Sequence, residues 1–339
     1  MDLAAISEYL TQSNQPAYRL RQIQKNYFSS RYASFADMTD LSLDLRSQLE
    51  SRFSLSSVQL VKILSDDFAK KALLTLSDGL QIETVLMDYE KWQTACISTQ
   101  VGCPLGCTFC ATGKMGFKRN LSVDEIIDQI LFWKKCINSP FEGEKFGEAK
   151  QKGFRLVFMG MGEPFLNWDN LITALDIIKK ELKIGSRKIS ISTAGVAPRI
   201  VDFANLDIEI NLAISLHSAD QATREKMMPI AKQYPLDELA KSLDYYIRTT
   251  KRQVFFEYLL AKDVNDTPYH LDLLIDFIKS NNLFYLNLIP LNPIKGGLIP
   301  STKLKYFQDE LTKSHVNFSI RRGLGQSINS ACGQLIVEK

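Results

Sequence analysis

Long apolar runs are missing from this chain of 339 residues: nothing approaches the roughly eighteen consecutive apolar residues that a membrane-spanning helix needs. The opening MDLAAISEYLTQSNQ carries Asp2 and Glu8 where a secretory signal would carry basic residues and then an apolar stretch. A soluble, cytoplasmic protein with no membrane partner is therefore expected. Strong charge is also lacking. A net charge of +3 is too small to mark a dedicated nucleic-acid-binding domain, so any such contact must be local. Histidine is scarce, with only His217, His270 and His315, which leaves few nitrogen ligands for zinc. Six cysteines in a reducing cytosol argue against a framework of structural disulfides and for metal binding or catalysis.

What is present suffices for a full core, since 45% of the residues are hydrophobic, and the length suits one large domain plus one or two small ones. Residues 1–55 read as a small helical accessory domain, with Ile6, Leu10, Leu20, Ile23 and Phe28 at helical spacing and the pattern repeated from Leu41 to Leu49. Residues 56–90 read as a β-hairpin linker turning at Ser77-Asp78-Gly79, because Asp-Gly tolerates the positive φ such a turn requires. From 91 to 339 strand and helix alternate. QTACIST, FRLVFM, KISIS, EINLAISL, QVFFEYLL, FYLNLI and VNFSIRR are strand-like, and most precede a helical pattern. The fold class is α/β, a partial (β/α) barrel whose chemistry belongs at the C-terminal ends of the strands. Ser122 and Glu125 have capping-box spacing at the start of the first crossover helix, and 138–153, rich in Gly, Glu and Lys, reads as a loop.

Between Pro16 and Ala36, Arg19, Arg21, Lys25 and Arg31 alternate with Tyr18, Tyr27, Phe28 and Tyr32, and no acid intervenes. Such a stretch suits an RNA surface that contacts phosphate and stacks bases; it equally suits a solvated helix face over an aromatic core.

Directly after the first barrel strand comes Cys103-Pro-Leu-Gly-Cys107-Thr-Phe-Cys110. Three thiolates in one short loop can hold three corners of a 4Fe-4S cluster and leave the fourth iron open for a ligand. A structural zinc site completed from elsewhere is the alternative, but the paired cysteines or nearby histidines it usually shows are absent.

With ATGKMGFKRNL following it, this motif resembles the radical S-adenosylmethionine superfamily and, within it, the RlmN/Cfr family of RNA adenosine methyltransferases. The resemblance extends over nearly the whole chain through IETV (82–85), CISTQVGC (96–103), GMGEP (160–164), STAG (192–195), SLHS (215–218), NLIPLNP (287–293) and ACGQL (331–335). It implies a cluster on Cys103, Cys107 and Cys110. It also implies S-adenosylmethionine, two per turnover, against Gly162, Glu163, Ser192, Ser215, Leu216, His217 and Asn292. The Gly160 and Gly162 pair would let backbone approach that ligand.

Three further positions match the family's catalytic set. Cys332 takes a methyl group from one S-adenosylmethionine; the radical from a second abstracts hydrogen from that methyl, and the carbon radical joins the adenine ring. Glu83 removes the ring proton as general base. Cys96 attacks the Cys332 sulfur and releases product as a disulfide forms, which requires α-carbons within about 7 Å. Cys136 matches nothing in this scheme and reads as an ordinary buried residue.

The implied substrates are an adenosine of 23S rRNA and, for some members, of tRNA; these motifs do not distinguish methylation at C2 from C8, and C2 is the expectation taken. Lys114, Lys118 and Arg119 would add RNA contacts. A flavodoxin or ferredoxin type donor supplies the electron, and a monomer is expected. One departure stands out: the acidic residues usual before the methyl-carrying cysteine are missing from Gly325–Ala331. A radical enzyme with a non-RNA substrate would need neither Cys96 nor Cys332, and a zinc-stabilised RNA-binding module would need no cluster.

Overall fold

The computed structural model describes residues 1–138, 152–321 and 323–337. The loop expected over 138–153 lies outside these residues apart from its ends.

Three helices open the chain: α1 (Leu3–Gln12), α2 (Tyr18–Phe28) and α3 (Leu43–Arg52). Asp2 and Ser42 cap α1 and α3 by accepting hydrogen bonds from the N–H groups of Ala5 and Leu45. Ile6, Leu10, Ile23, Leu45 and Leu49 are buried at the helical spacing anticipated. Tyr27 and Phe28 are also core residues, which removes them from any base-stacking surface; Tyr18 remains exposed, and so do Arg21, Lys25 and Arg31. Tyr27 Oη donates to Asp128 Oδ1 at 2.6 Å, and Ser57 donates to the other oxygen through both N–H and Oγ, so one carboxylate ties the helices to the barrel.

Strands β1 (Val58–Ser65), β2 (Ala69–Leu76), β3 (Gln81–Asp88) and β4 (Trp92–Cys96) form an antiparallel meander. The segment expected as a hairpin linker thus holds three strands and is continuous with the barrel sheet. The β2–β3 turn falls at Asp78-Gly79, with Gly79 at φ 80°. A short ribbon, β5 (Gln100–Gly102) and β6 (Phe117–Asn120), brackets the cysteine loop and a single helical turn, α4 (Ala111–Lys114).

The barrel then proceeds by crossovers: α5 (Val123–Asn138), β7 (Gly153–Phe158), α6 (Trp168–Lys180), β8 (Ile189–Thr193), α7 (Ala197–Ala204), β9 (Asn211–Ser215), α8 (Gln221–Met227), α9 (Leu236–Thr250), β10 (Val254–Leu260), α10 (Pro268–Lys279), β11 (Phe284–Pro290), α11 (Leu304–Lys313) and β12 (Phe318–Ile320). From β4 onward each neighbouring pair is parallel, and the ten-stranded sheet runs from β1 to β12 without closing. The open, partial barrel matches the expectation, and each of the seven strand-like segments contains a strand.

The capping box forms as anticipated: Ser122 N–H donates to Glu125 Oε2 at 2.9 Å and Glu125 N–H to Ser122 Oγ at 3.2 Å. Ile126, Ile127, Ile130, Leu131, Trp133 and Cys136 line the buried face of α5. Each such aliphatic side chain contributes roughly 1.5–3 kcal/mol by leaving water. Gln129 substitutes for a neighbouring strand, accepting from Ser98 N–H at 2.9 Å and donating to Ser98 O at 3.0 Å. This aims the chain after β4 toward the cysteine loop.

Candidate functional site

A cavity of about 200 Å³ opens at the C-terminal ends of the barrel strands. Its walls bring together Cys96, Cys103, Cys107, Cys110, Gly162, Glu163, Ser192, Ser215, His217, Asn292 and Cys332. Of the residues singled out in the sequence, Glu83 and Leu216 are not among the walls.

The cysteine loop is shaped by backbone. Gly102, at φ 75°, packs against the Gly116 carbonyl so closely that a Cβ would fall on its oxygen. Cys103 N–H donates to that same carbonyl at 3.0 Å. Cys110 leads into α4, whose first residue, Ala111, donates its N–H to Gly333 O at 2.7 Å. The loop sits in an apolar cage with Ala194, Met227, Met228, Leu259 and Ile289. Burial pushes the thiols of Cys103, to about 12, and of Cys107 and Cys110 upward, so thiolates here need a cation's help.

Iron supplies such help, and the donor set fits a cluster: three sulfurs in an apolar, largely buried loop, each free to take a different iron. Among the described residues no three His, Cys, Asp or Glu side chains converge as they would around one metal ion.

At the end of β7, Gly160 and Gly162 approach the 97–100 stretch rather than only a ligand. A Cβ on Gly160 would lie 2.6 Å from Ser98 Oγ, and one on Gly162 2.6 Å from Gln100 Cβ. Glu163 follows, buried, accepting hydrogen bonds from Phe165 N–H at 3.0 Å and Ala194 N–H at 2.7 Å. Burial pushes its carboxyl up to about 7 despite those donors. Ser192 and Ser215 face each other from β8 and β9, their hydroxyls 3.4 Å apart.

His217 is buried and in a left-handed conformation, φ 54°. Its Nδ1 accepts from Leu259 N–H at 3.2 Å, and burial together with the Arg224 charge pushes its pKa down to about 3. The ring is therefore neutral, with its proton on Nε2. Phe109 from the cysteine loop meets it edge-on at 4.6 Å. Leu216 contributes backbone only, its carbonyl accepting from Arg224 Nε. Asn292 holds the C-terminal segment, donating to Cys332 O at 3.1 Å and accepting from Gln326 Nε2 at 2.8 Å.

Cys96 is buried and Cys332 exposed, and both are free thiols; the disulfide implied by the resemblance is not formed. They lie close enough that the Cys332 charge raises the Cys96 pKa, after burial, to about 12. Glu83 is buried on β3, two residues from the Val85 that pairs with Cys96, which rules out a strand glutamate facing water. Its oxygens hold Lys71 Nζ at 2.8 Å and Ile336 N–H at 2.9 Å.

Two of the expected RNA contacts are otherwise engaged. Arg119 pairs with Asp78 at 2.7 Å and Glu125 at 2.8 Å, and Lys114 Nζ donates to the carbonyls of Lys295 and Gly296. Lys118 stays exposed. Sequence reasoning missed the Glu257–Arg321 pair, 3.1 Å apart on the cavity wall, and the buried Arg224. The lone charge inside QVFFEYLL could have flagged Glu257; Arg224, in TREK, looks like any solvated helix arginine.

Residues 1–55 match the model of the ribosomal RNA large subunit methyltransferase N-terminal domain. Over 336 residues the chain is 40% identical to a probable dual-specificity RNA methyltransferase RlmN of Staphylococcus haemolyticus strain JCSC1435, covering 97% of this chain and 90% of that protein. The chain belongs to the RlmN family. An RlmN relative from Bacillus subtilis strain 168 is 39% identical over 98% of this chain and 91% of its own length. The crystal structure of a radical SAM methyltransferase from Sphaerobacter thermophilus superposes with a TM-score of 0.89 at 34% identity, covering 99% of this chain and 97% of that one. RlmN membership makes this chain a radical-SAM methyltransferase and implies a 4Fe-4S cluster and S-adenosylmethionine. Among the described residues no helix is long and apolar enough to cross a membrane.

Proposed function

We propose that this enzyme methylates C2 of an adenosine in 23S rRNA, and in tRNA, through a methyl group carried on Cys332. The observation that carries the reading is the placement of an exposed Cys332 and a buried Cys96 on the walls of the cavity that the three loop cysteines also line. Cys103, Cys107 and Cys110 would hold the cluster, which when bound supplies, from a flavodoxin or ferredoxin type donor, the electron that cleaves S-adenosylmethionine.

The chain's own residues do the rest. Glu163 receives the S-adenosylmethionine ammonium as a charge-assisted acceptor, and Ser192, Ser215, His217 Nε2–H and Asn292 offer neutral hydrogen bonds. Cys332, exposed at the cavity mouth, takes the methyl group as a thiolate and presents it to the base. An adenine must leave its stack to reach this depth. Glu83 accepts the ring proton once the 329–336 segment releases its carboxylate. Cys96 then loses its proton and attacks the Cys332 sulfur, the new S–S bond replacing the S–C bond to the base, whose freed carbon takes a proton to become methyl; until then burial keeps Cys96 a quiet thiol. Lys118, Arg21, Lys25 and Arg31 are the exposed cations for phosphate contact.

The test is anaerobic turnover with 23S rRNA and tRNA, read by mass spectrometry of methyladenosines. Wild type yields 2-methyladenosine, Cys332→Ala yields none, and Cys96→Ala accumulates an RNA–protein adduct. Methylation by Cys332→Ala would overturn the methyl-carrier reading, and 8-methyladenosine the regiochemistry.

A further inference from the structure

Three cations near the cavity differ in what balances them: Lys71 and Arg224 are buried, and Arg321 is half-buried on the cavity wall. Lys71 faces Glu83 at 2.8 Å and Arg321 faces Glu257 at 3.1 Å. Arg224, fully buried on α8, forms no ion pair with a carboxylate among the described residues. Its Nε donates to Leu216 O at 3.2 Å and its Nη2 to Ala194 O at 2.8 Å and Ser215 O at 3.4 Å, while Nη1 finds no partner among the described residues. Those carbonyls belong to the strand ends that carry Ser192 and Ser215. They orient the guanidinium but cancel none of its net charge, and a buried charge without a counter-ion is among the costliest features a fold can retain.

The groups beside it that would carry negative charge with a cluster bound are the loop cysteines. Residues 227 and 228, directly after Arg224's turn of helix, pack with Cys103 and Cys107 in the apolar cage, and Thr108 N–H donates to Met227 O at 3.0 Å. The side chain is held on its other flank by Gly195, where a Cβ would come within 3.2 Å of Nη2. Ala194, whose carbonyl holds Nη2, belongs to that same cage, so the guanidinium borders the wall formed by Cys103 and Cys107.

We propose that Arg224 is the fixed counter-cation of the iron-sulfur site, a positioning residue that balances the charge the cysteine loop would carry with its cluster and makes one-electron reduction easier. The inference rests on the cluster reading above. A neutral residue at 224 would leave the reduced, more negative cluster without its compensating charge in a medium of low dielectric.

The experiment is an EPR-monitored redox titration of the anaerobically loaded full-length protein, with iron and sulfide assayed alongside, for wild type, Arg224→Met and Arg224→Lys. Arg224→Met is expected to disfavour reduction by about tenfold or more, a fall of about 59 mV per tenfold for one electron. Arg224→Lys, which keeps the charge and loses the planar fork, is expected to stay near wild type. An unchanged midpoint in Arg224→Met overturns the inference. So does an Arg224→Lys midpoint that falls as far, since the role would then be hydrogen bonding to the carbonyls. If Arg224→Met does not fold, Arg224→Gln, which removes the charge and keeps a donor for the carbonyls, takes its place: a fall of the midpoint upholds the charge role and a wild-type midpoint refutes it. A wild-type protein that takes up no iron and sulfide would overturn the cluster reading and this inference with it, an outcome distinct from a loaded protein whose midpoint ignores residue 224.

Discussion

The Glu83 carboxylate accepts a hydrogen bond from the backbone N–H of Ile336, 2.9 Å away and 253 residues later in the chain. Its other oxygen holds Lys71 Nζ at 2.8 Å, and Lys71 also donates to Asn329 O at 3.2 Å. One buried ion pair thus clamps the segment that carries Cys332 on both of its flanks.

Removing Lys71 takes away a charge held 2.8 Å from a buried carboxylate. Lys71→Met should destabilise the protein by about 3–5 kcal/mol, measured by urea unfolding. Adding Glu83→Gln should recover part of the loss. Strict additivity of the two substitutions would show that the pair is not coupled.

Thiol reactivity should separate the two remote cysteines. Iodoacetamide at about pH 8 should label exposed Cys332 and spare Cys96, whose thiol burial holds up near 12. Peptide mass spectrometry reads the result, and equal labelling of both would contradict the burial of Cys96.

Glu163 predicts a pH dependence. Its folded pKa, pushed up by burial to about 7 from an ordinary 4.5, means that the folded chain keeps a proton the unfolded chain has already lost. This contribution to stability is fully present below about pH 4.5 and is lost as pH rises through 7. In the proposed binding mode S-adenosylmethionine would reverse the preference, because its ammonium would pair with the carboxylate. Affinity should therefore rise through pH 7, measured by anaerobic calorimetry. Glu163→Gln should bind at least about tenfold more weakly above that pH and show a flat profile.

Gly162 combines φ 102° with a position where a Cβ would meet the Gln100 Cβ at 2.6 Å and its backbone nitrogen at 2.8 Å. Gly162→Ala should cost at least about 1–3 kcal/mol from the backbone conformation alone. It should also break the 2.9 Å hydrogen bond from Glu163 N–H to Gln100 Oε1 and so weaken cofactor binding. Thermal unfolding and the same calorimetry check both effects.

Much of this was legible in the chain itself. Capping of α5 by Ser122 and Glu125, the turn at Asp78-Gly79, the strand segments and the three-cysteine loop depend on contacts within a few residues, and spacing alone encodes those. Tyr27 and Phe28 show where that legibility ends: a basic and aromatic run reads identically whether its rings face RNA or the core, and burial against the neighbouring helices chose the core.

Charged groups show the same limit more sharply. Arg119, Lys114, Lys71 and Arg224 look alike in sequence, as cations on short elements. Folding gave Arg119 two carboxylates, Lys114 two carbonyls, Lys71 a buried carboxylate, and Arg224 three carbonyls but no carboxylate among the described residues. The sequence by itself determined the open barrel's strands and the loop of Cys103, Cys107 and Cys110, because hydrophobic period and local spacing act over short separations. Only the tertiary structure decided that Cys96 and Cys332 share one cavity and that Glu83 is clamped by Ile336. Those neighbours are set by the order of strands in the sheet and by the return of the C-terminal segment across the barrel mouth, and no local pattern specifies which distant groups then meet.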